Sequence, residues 1–192
     1  MNYPSIKNIA LTGLTVTGSQ ATAAIIYTDI ADLTLTFQNG DELYIDFTNQ
    51  SAVIQASSVP SAEIFIADYS SDDFTIESPQ SQIARTGSNL LEYSAGDIIG
   101  SGSSFGAYGD VRDGSTFDTS TGQYAGVRLD SGNNYGWIQL SFDAAANTIT
   151  VYDFAYDDSG TPIAAGAGAI PEPSSAALLL VGSAAALKRR RK

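Results

Sequence analysis

Neither cysteine nor histidine occurs anywhere in the 192 residues. Without cysteine there are no disulfides, no thiolate zinc sites and no cysteine nucleophile. Without histidine there is no Ser-His-Asp or Cys-His catalysis, no imidazole metal site, and no side chain with an ordinary pKa near neutrality. Positive charge is scarce as well. Between residues 24 and 169, three arginines (Arg85, Arg112 and Arg128) stand against 20 Asp and Glu, a net of −17. Such a surface repels phosphate backbones and argues against a nucleic-acid partner. It keeps an exported protein soluble by mutual repulsion, and it leaves open cation binding by acidic loops. Long helical periodicity is missing too, until the last residues of the chain.

The two ends differ from the middle. Residues 1–23 carry one charge, Lys7, then a mildly apolar stretch over 9–16 and the small residues Ala21, Thr22 and Ala23. Basic start, short apolar region and A-x-A-like site follow the order of a secretory signal peptide, with Ala24 as the new N-terminus. Thr12, Gly13, Thr15 and Thr17 dilute the apolar region, so a first β-strand is the alternative reading. At the other end, residues 174–187 form an uncharged run of 14, which as a helix spans about 21 Å. That is short of a membrane core of roughly 30 Å, though flanking basic residues can snorkel and hold it on the cytoplasmic side. Pro171 and Pro173 bar a regular helix before it.

Pro171, Glu172 and Pro173, an apolar run containing Gly182, and then Lys188, Arg189, Arg190, Arg191 and Lys192 stand in a fixed order. In this the C-terminus resembles the PEP-CTERM sorting signal. The resemblance implies export through the secretion machinery and recognition of the Pro-Glu-Pro motif by an exosortase-type membrane enzyme. It also implies transient membrane association through the helix, with the basic cluster as membrane stop, and removal of the tail. Proteins of this kind go to the cell surface or the extracellular matrix of exopolysaccharide-producing bacteria. The resemblance covers the last 22 residues and assigns an itinerary, not an activity.

Between the tails the pattern is that of β-strands. In "LTLTFQNGDELYIDF", Leu33, Leu35 and Phe37 alternate with Thr34 and Thr36, and Leu43, Ile45 and Phe47 alternate with Tyr44 and Asp46. Asn39-Gly40 lies between them, so the stretch predicts a hairpin with a tight turn. Further strands are predicted over 53–56, 63–67, 81–85, 123–129, 135–142 and 148–156, separated by turns such as 130–134 and 143–147. The segment 126–166 loosely resembles a β-sandwich module of exported bacterial proteins, in which a Tyr-Gly-Trp strand precedes a Thr-x-Thr-Val strand. The expected fold is all-β, an antiparallel β-sandwich or jelly-roll-like domain over 24–165. A linker over 166–170 and the sorting signal over 171–192, with its short hydrophobic helix, follow it.

Candidate sites within the domain are diffuse. The six glycines of 96–114 have neither the basic partner nor the following helix of a phosphate loop, and read as a mobile surface loop. Asp110, Asp113 and Asp118 offer hard oxygen ligands for calcium, but their spacing is not that of an EF-hand. Asp72-Asp73 and Asp157-Asp158 are similar pairs. Tyr135 and Trp137 share one strand face, away from Ile138, Leu140 and Phe142. Their rings either stack on a sugar or fill the core. The expectation is a non-catalytic structural or exopolysaccharide-associated protein that needs no cofactor. The alternatives are a polysaccharide hydrolase using paired carboxylates, or a calcium-dependent glycan-binding module.

Overall fold

The computed structural model describes residues 24–36, 40–70, 73–112, 117–119, 122–129 and 134–169. The first strands are β1 (Ile25–Thr36), β2 (Glu42–Asp46), β3 (Ser51–Gln55), β4 (Ile64–Ser70) and β5 (Asp73–Glu77). Shorter pieces follow: β6 (Gln82–Thr86), β7 (Asn89–Leu90), β8 (Glu92–Ser94), β9 (Ile98–Ile99) and β10 (Phe105–Gly106). The chain then runs through β11 (Tyr108–Arg112), β12 (Gln123–Leu129), β13 (Asn134–Asp143), β14 (Thr148–Asp157) and β15 (Ile163–Ala164). No helix occurs among the described residues, and none there is long and apolar enough to cross a membrane.

Thirteen strands make one sheet, ordered β1-β14-β13-β12-β6-β7-β11-β5-β4-β2-β3, with β8 and β10 attached to β12 and β6. The sheet is nearly closed: β1 and β3, at opposite ends of that order, come together. The long strands β1, β14, β13 and β12 form one wall, and β11, β5, β4, β2 and β3 form the facing one. The main core fills the space between them. Leu43, Ile45, Ile64, Ile66, Phe74 and Ile76 enter it from one side, and Leu35, Ile138, Leu140, Phe142, Ile149, Val151 and Phe154 from the other.

The expected strands over 123–129, 135–142 and 148–156 lie within β12, β13 and β14, because alternating apolar residues specify which face is covered. The two strands expected to form a hairpin around Asn39-Gly40 do not pair with each other among the described residues. β1 pairs with β14, placing Leu33 and Leu35 opposite Val151 and Ile149, whereas β2 pairs with β3 and β4. Leu35 and Leu43 still reach the same core, but from opposite walls. Alternation selects a face, not a hydrogen-bonding partner, and Gly40 at φ +68° serves a crossover between walls as readily as a tight turn.

A second core lies on the outer face of the β12–β14 wall, where Tyr124, Tyr135, Trp137 and Ala155 are covered by Tyr93, Ile99, Ile163 and Ala165. The glycine-rich segment expected as a mobile loop forms part of this cover. It contains β9, β10 and β11, and Ile99 and Val111 are fully buried. Its glycines permit close passage: a Cβ on Gly106 would lie 2.0 Å from Arg85 Nε. The segment after β15, expected as a linker from 166, is also drawn onto this core. Trp137 Nε1 donates to the Ala167 carbonyl at 3.2 Å, and Gly96 N donates to the Ala165 carbonyl at 2.9 Å. Trp137 is fully buried between Tyr124, edge-on at 5.2 Å, and Tyr27 at 6.1 Å. Replacing it by Ala (Trp137→Ala) is expected to destabilise the fold by about 3–5 kcal/mol. Urea denaturation followed by far-UV circular dichroism would show this as a lowered midpoint with little change in slope.

Candidate functional site

A cleft of about 420 Å³ opens at one end of the main core, between the two walls. Its apolar floor is Phe47 and Leu129, both buried, with Tyr156 half-buried beside them. Phe47 contacts Phe154 edge-on at 4.8 Å and Tyr156 at 6.1 Å, so one ring cluster carries the core up to the cleft. The rest of the lining is polar: Thr48, Glu63, Gln80, Ser81 and Asn134. These residues come from six places in the sequence, namely the turn after β2, the loop before β4, the loop before β6, the last residue of β12, and the ends of β13 and β14.

Local hydrogen bonds hold the pieces in place. Asp46 accepts from Asn49 N at 2.7 Å and from Asn49 Nδ2 at 2.8 Å, forming the turn that presents Phe47 and Thr48. Burial alone would push the Asp46 carboxyl up, but the hydrogen bonds from Asn49 and Ser61 prevail and hold it below the ordinary carboxylate value. Glu63 ties this turn to the next loop. Its Oε2 accepts from Phe47 N at 2.8 Å, and its Oε1 accepts from Thr48 Oγ1 at 2.6 Å and Thr48 N at 3.3 Å. Ser78 Oγ donates to the Glu63 carbonyl at 2.9 Å and accepts from Ser81 N at 2.6 Å, which sets Ser81 against the cleft. Ser81 is 8% exposed, and its own Oγ is buried without a hydrogen-bond partner. Burial pushes the Tyr156 phenol up, and the charges of Asp158 and Glu63 push the same way, so it is a neutral hydroxyl at physiological pH.

The residues singled out in the sequence lie elsewhere. Trp137 is 0% and Tyr135 8% exposed, and both belong to the second core, so neither presents a ring face to a sugar. Tyr156, near the end of β14, lines the cleft instead. Asp110 is buried in β11, where it accepts from Thr75 Oγ1 at 3.2 Å across the strand pair. Asp118 is exposed at the foot of β12, its backbone N donating to Gln123 Oε1 at 2.8 Å. Asp113 lies outside the described residues, as do Pro171, Glu172, Pro173 and the basic cluster from Lys188 to Lys192. Among the described residues no three His, Cys, Asp or Glu converge to hold a metal ion. Asp157 closes the turn after β14, accepting from Ser159 N at 2.8 Å and Thr161 N at 3.3 Å. Asp158 accepts from Ala24 N at 3.0 Å.

One buried carboxylate escaped the sequence reading. Asp153 is 8% exposed and lies opposite Asp29 in the β1–β14 ladder, where β-bulges interrupt both strands. Tyr27 Oη donates to Asp153 Oδ2 at 2.8 Å, while Oδ1 has no partner. Burial raises the Asp153 pKa above the ordinary value; the Tyr27 hydrogen bond opposes this, and Asp29 and Asp32 add to it. A raised carboxyl favours the protonated form in the folded state. It therefore costs stability at neutral pH, and the cost is relieved as pH falls through the folded value. Asp153→Asn is expected to raise the unfolding temperature at pH 7. The gain should shrink on acidification and vanish below about pH 4, the unfolded carboxyl value. Calorimetry across that range would detect it. Asp46 carries the opposite sign, contributing stability at neutral pH that is lost in acid. Comparison with known proteins finds no matching family model, no matching curated protein and no matching solved structure.

Proposed function

We propose that the chain is an exported, non-catalytic component of the cell surface or extracellular matrix, associated with exopolysaccharide and sorted by the PEP-CTERM route. The ordered C-terminus carries this reading: Pro171-Glu172-Pro173, an uncharged run, and five basic residues in succession. Each part alone is common, but their order suits a brief membrane stop that a processing enzyme can cut. On this reading residues 1–23 direct secretion, and an exosortase-type enzyme removes the tail. We read the nearly closed sheet as a flattened β-sandwich, an architecture stable outside the cell without disulfides. The acidic surface of the domain, with net charge −17 over residues 24–169, suits a soluble extracellular protein.

The rival is a polysaccharide hydrolase using two carboxylates. Among the described residues the one carboxylate lining the cleft is Glu63, and both its oxygens accept hydrogen bonds from the Phe47–Thr48 turn. That arrangement supports binding over bond cleavage. Replacing Lys188, Arg189, Arg190, Arg191 and Lys192 together by Ser is expected to abolish membrane retention and trimming. Cell fractionation with mass measurement of the product checks this, and unchanged release of a trimmed protein would overturn the sorting route. Incubation of the wild-type chain with exopolysaccharide is expected to yield no new reducing ends; their appearance would refute the non-catalytic assignment.

A further inference from the structure

We propose that the cleft floored by Phe47 and Leu129 is a binding site for one neutral pyranose unit of a polysaccharide. The inference rests on the exopolysaccharide association proposed above and names the ligand chemistry and the residues. Its volume of about 420 Å³ accommodates a single sugar ring, with room for substituents.

The lining matches a polyol. A pyranose carries adjacent hydroxyls, each both donor and acceptor, around a ring with an apolar C–H face. Gln80 and Asn134 present side-chain amides, groups able to donate and accept together toward vicinal hydroxyls. Tyr156 supplies a half-buried ring beside Phe47, a surface for the C–H face, and a phenol that stays protonated. Ser81 supplies the most telling group. Ser81 lines the cleft, its Oγ is buried with no partner, and a buried hydroxyl left unpaired costs about 1–3 kcal/mol. Rotation of this side chain toward the cleft would pair the hydroxyl with one of the ligand and recover that cost.

The charge selects among sugars. Glu63 lines the cleft, Asp158 acts on Tyr156 from nearby, and among the described residues no Lys or Arg lines it. Uronic acids and sulfated or phosphorylated sugars would meet that negative charge. Neutral hexoses meet no such barrier. The carboxylate of Glu63 is held by the Phe47–Thr48 turn, so it shapes the cleft and rejects anions while keeping its own hydrogen bonds.

The test uses the full chain, labelled with ¹⁵N, titrated with cellohexaose, maltohexaose and mannohexaose, and with hexagalacturonate as the acidic comparison. At least one neutral hexaose should shift the backbone amides of Gln80, Ser81 and Asn134, and hexagalacturonate should not. Ser81→Ala is expected to weaken binding roughly tenfold, the loss of one hydrogen bond, while leaving the thermal midpoint unchanged or raised. Asn134→Ala, at a half-buried position, should weaken it comparably and keep the fold. The proposal is overturned if no neutral hexaose moves these amides, if hexagalacturonate binds equally well, or if Ser81→Ala lowers the midpoint and leaves binding intact. Cell fractionation of the basic-tail variant reads sorting alone. Failure of the sugar titration with normal trimming would therefore remove the cleft proposal and leave the route, and the reverse result would do the opposite.

Discussion

The β12–β14 wall is buried on both of its faces, and the rest of the domain is arranged around that fact. A sheet with one wet face needs one set of apolar residues and tolerates polar ones opposite. Here Ile138, Leu140 and Phe142 face the main core while Tyr135 and Trp137 face a second, so alternate residues of one strand serve two interiors. The second interior is faced by a small two-stranded sheet, β9 with β15, whose Ile99 and Ile163 pair with each other and enter it. It is closed by short strands and turns from residues 91–106 and 163–169, which explains why a glycine-rich stretch is ordered and why Ala165 is buried. Trp137 bonds to the backbone of that cover, which adds a side-chain link between wall and lid to the backbone pairing of β8 with β12.

Double burial also accounts for the irregularities. Between Val151 and Phe154, both in the main core, lies an odd number of steps that strict alternation forbids. A bulge at Tyr152 supplies the missing shift, visible as the register break where Gln139 pairs with Asp153 and Leu140 with Val151. β1 breaks register at the same height, between Asp29 and Leu33. Asp29 and Asp153 stand opposite each other at the last regular pair before these breaks, and Asp153 is buried there. The strained electrostatics of that pair follow from the demand that both faces of β14 be covered.

The cleft is the other consequence of how the walls meet. Where they diverge beyond Phe47, the core ends in a gap floored by aromatic and aliphatic groups and rimmed by loops. The loops are held by carboxylates acting as acceptors: Asp46 for its own turn, Glu63 for the same turn from a distance. Some of the acidity in this chain is thus used one residue at a time to build loops, as Asp46, Asp143 and Asp157 all accept bonds from backbone N–H groups just downstream. Acidic residues in such a protein serve turn chemistry as well as surface charge.

The sequence by itself determined the class of structure and the chemistry that is barred. Alternation at Leu33–Leu35, Leu43–Ile45, Tyr135–Phe142 and Thr148–Val151 marks strands because period-2 burial is a local property. The lack of His and Cys is absolute whatever the fold. Tertiary structure alone decided the partners: β1 with β14 instead of β2, Trp137 inside a second core instead of on a surface, Asp110 spent on Thr75, and Ser81 set against Glu63, Gln80 and Asn134. Those outcomes depend on which walls face each other and where the bulges fall. Such long-range pairing leaves no mark in the spacing of residues along the chain, since a strand's apolar face is encoded locally and its neighbour is not.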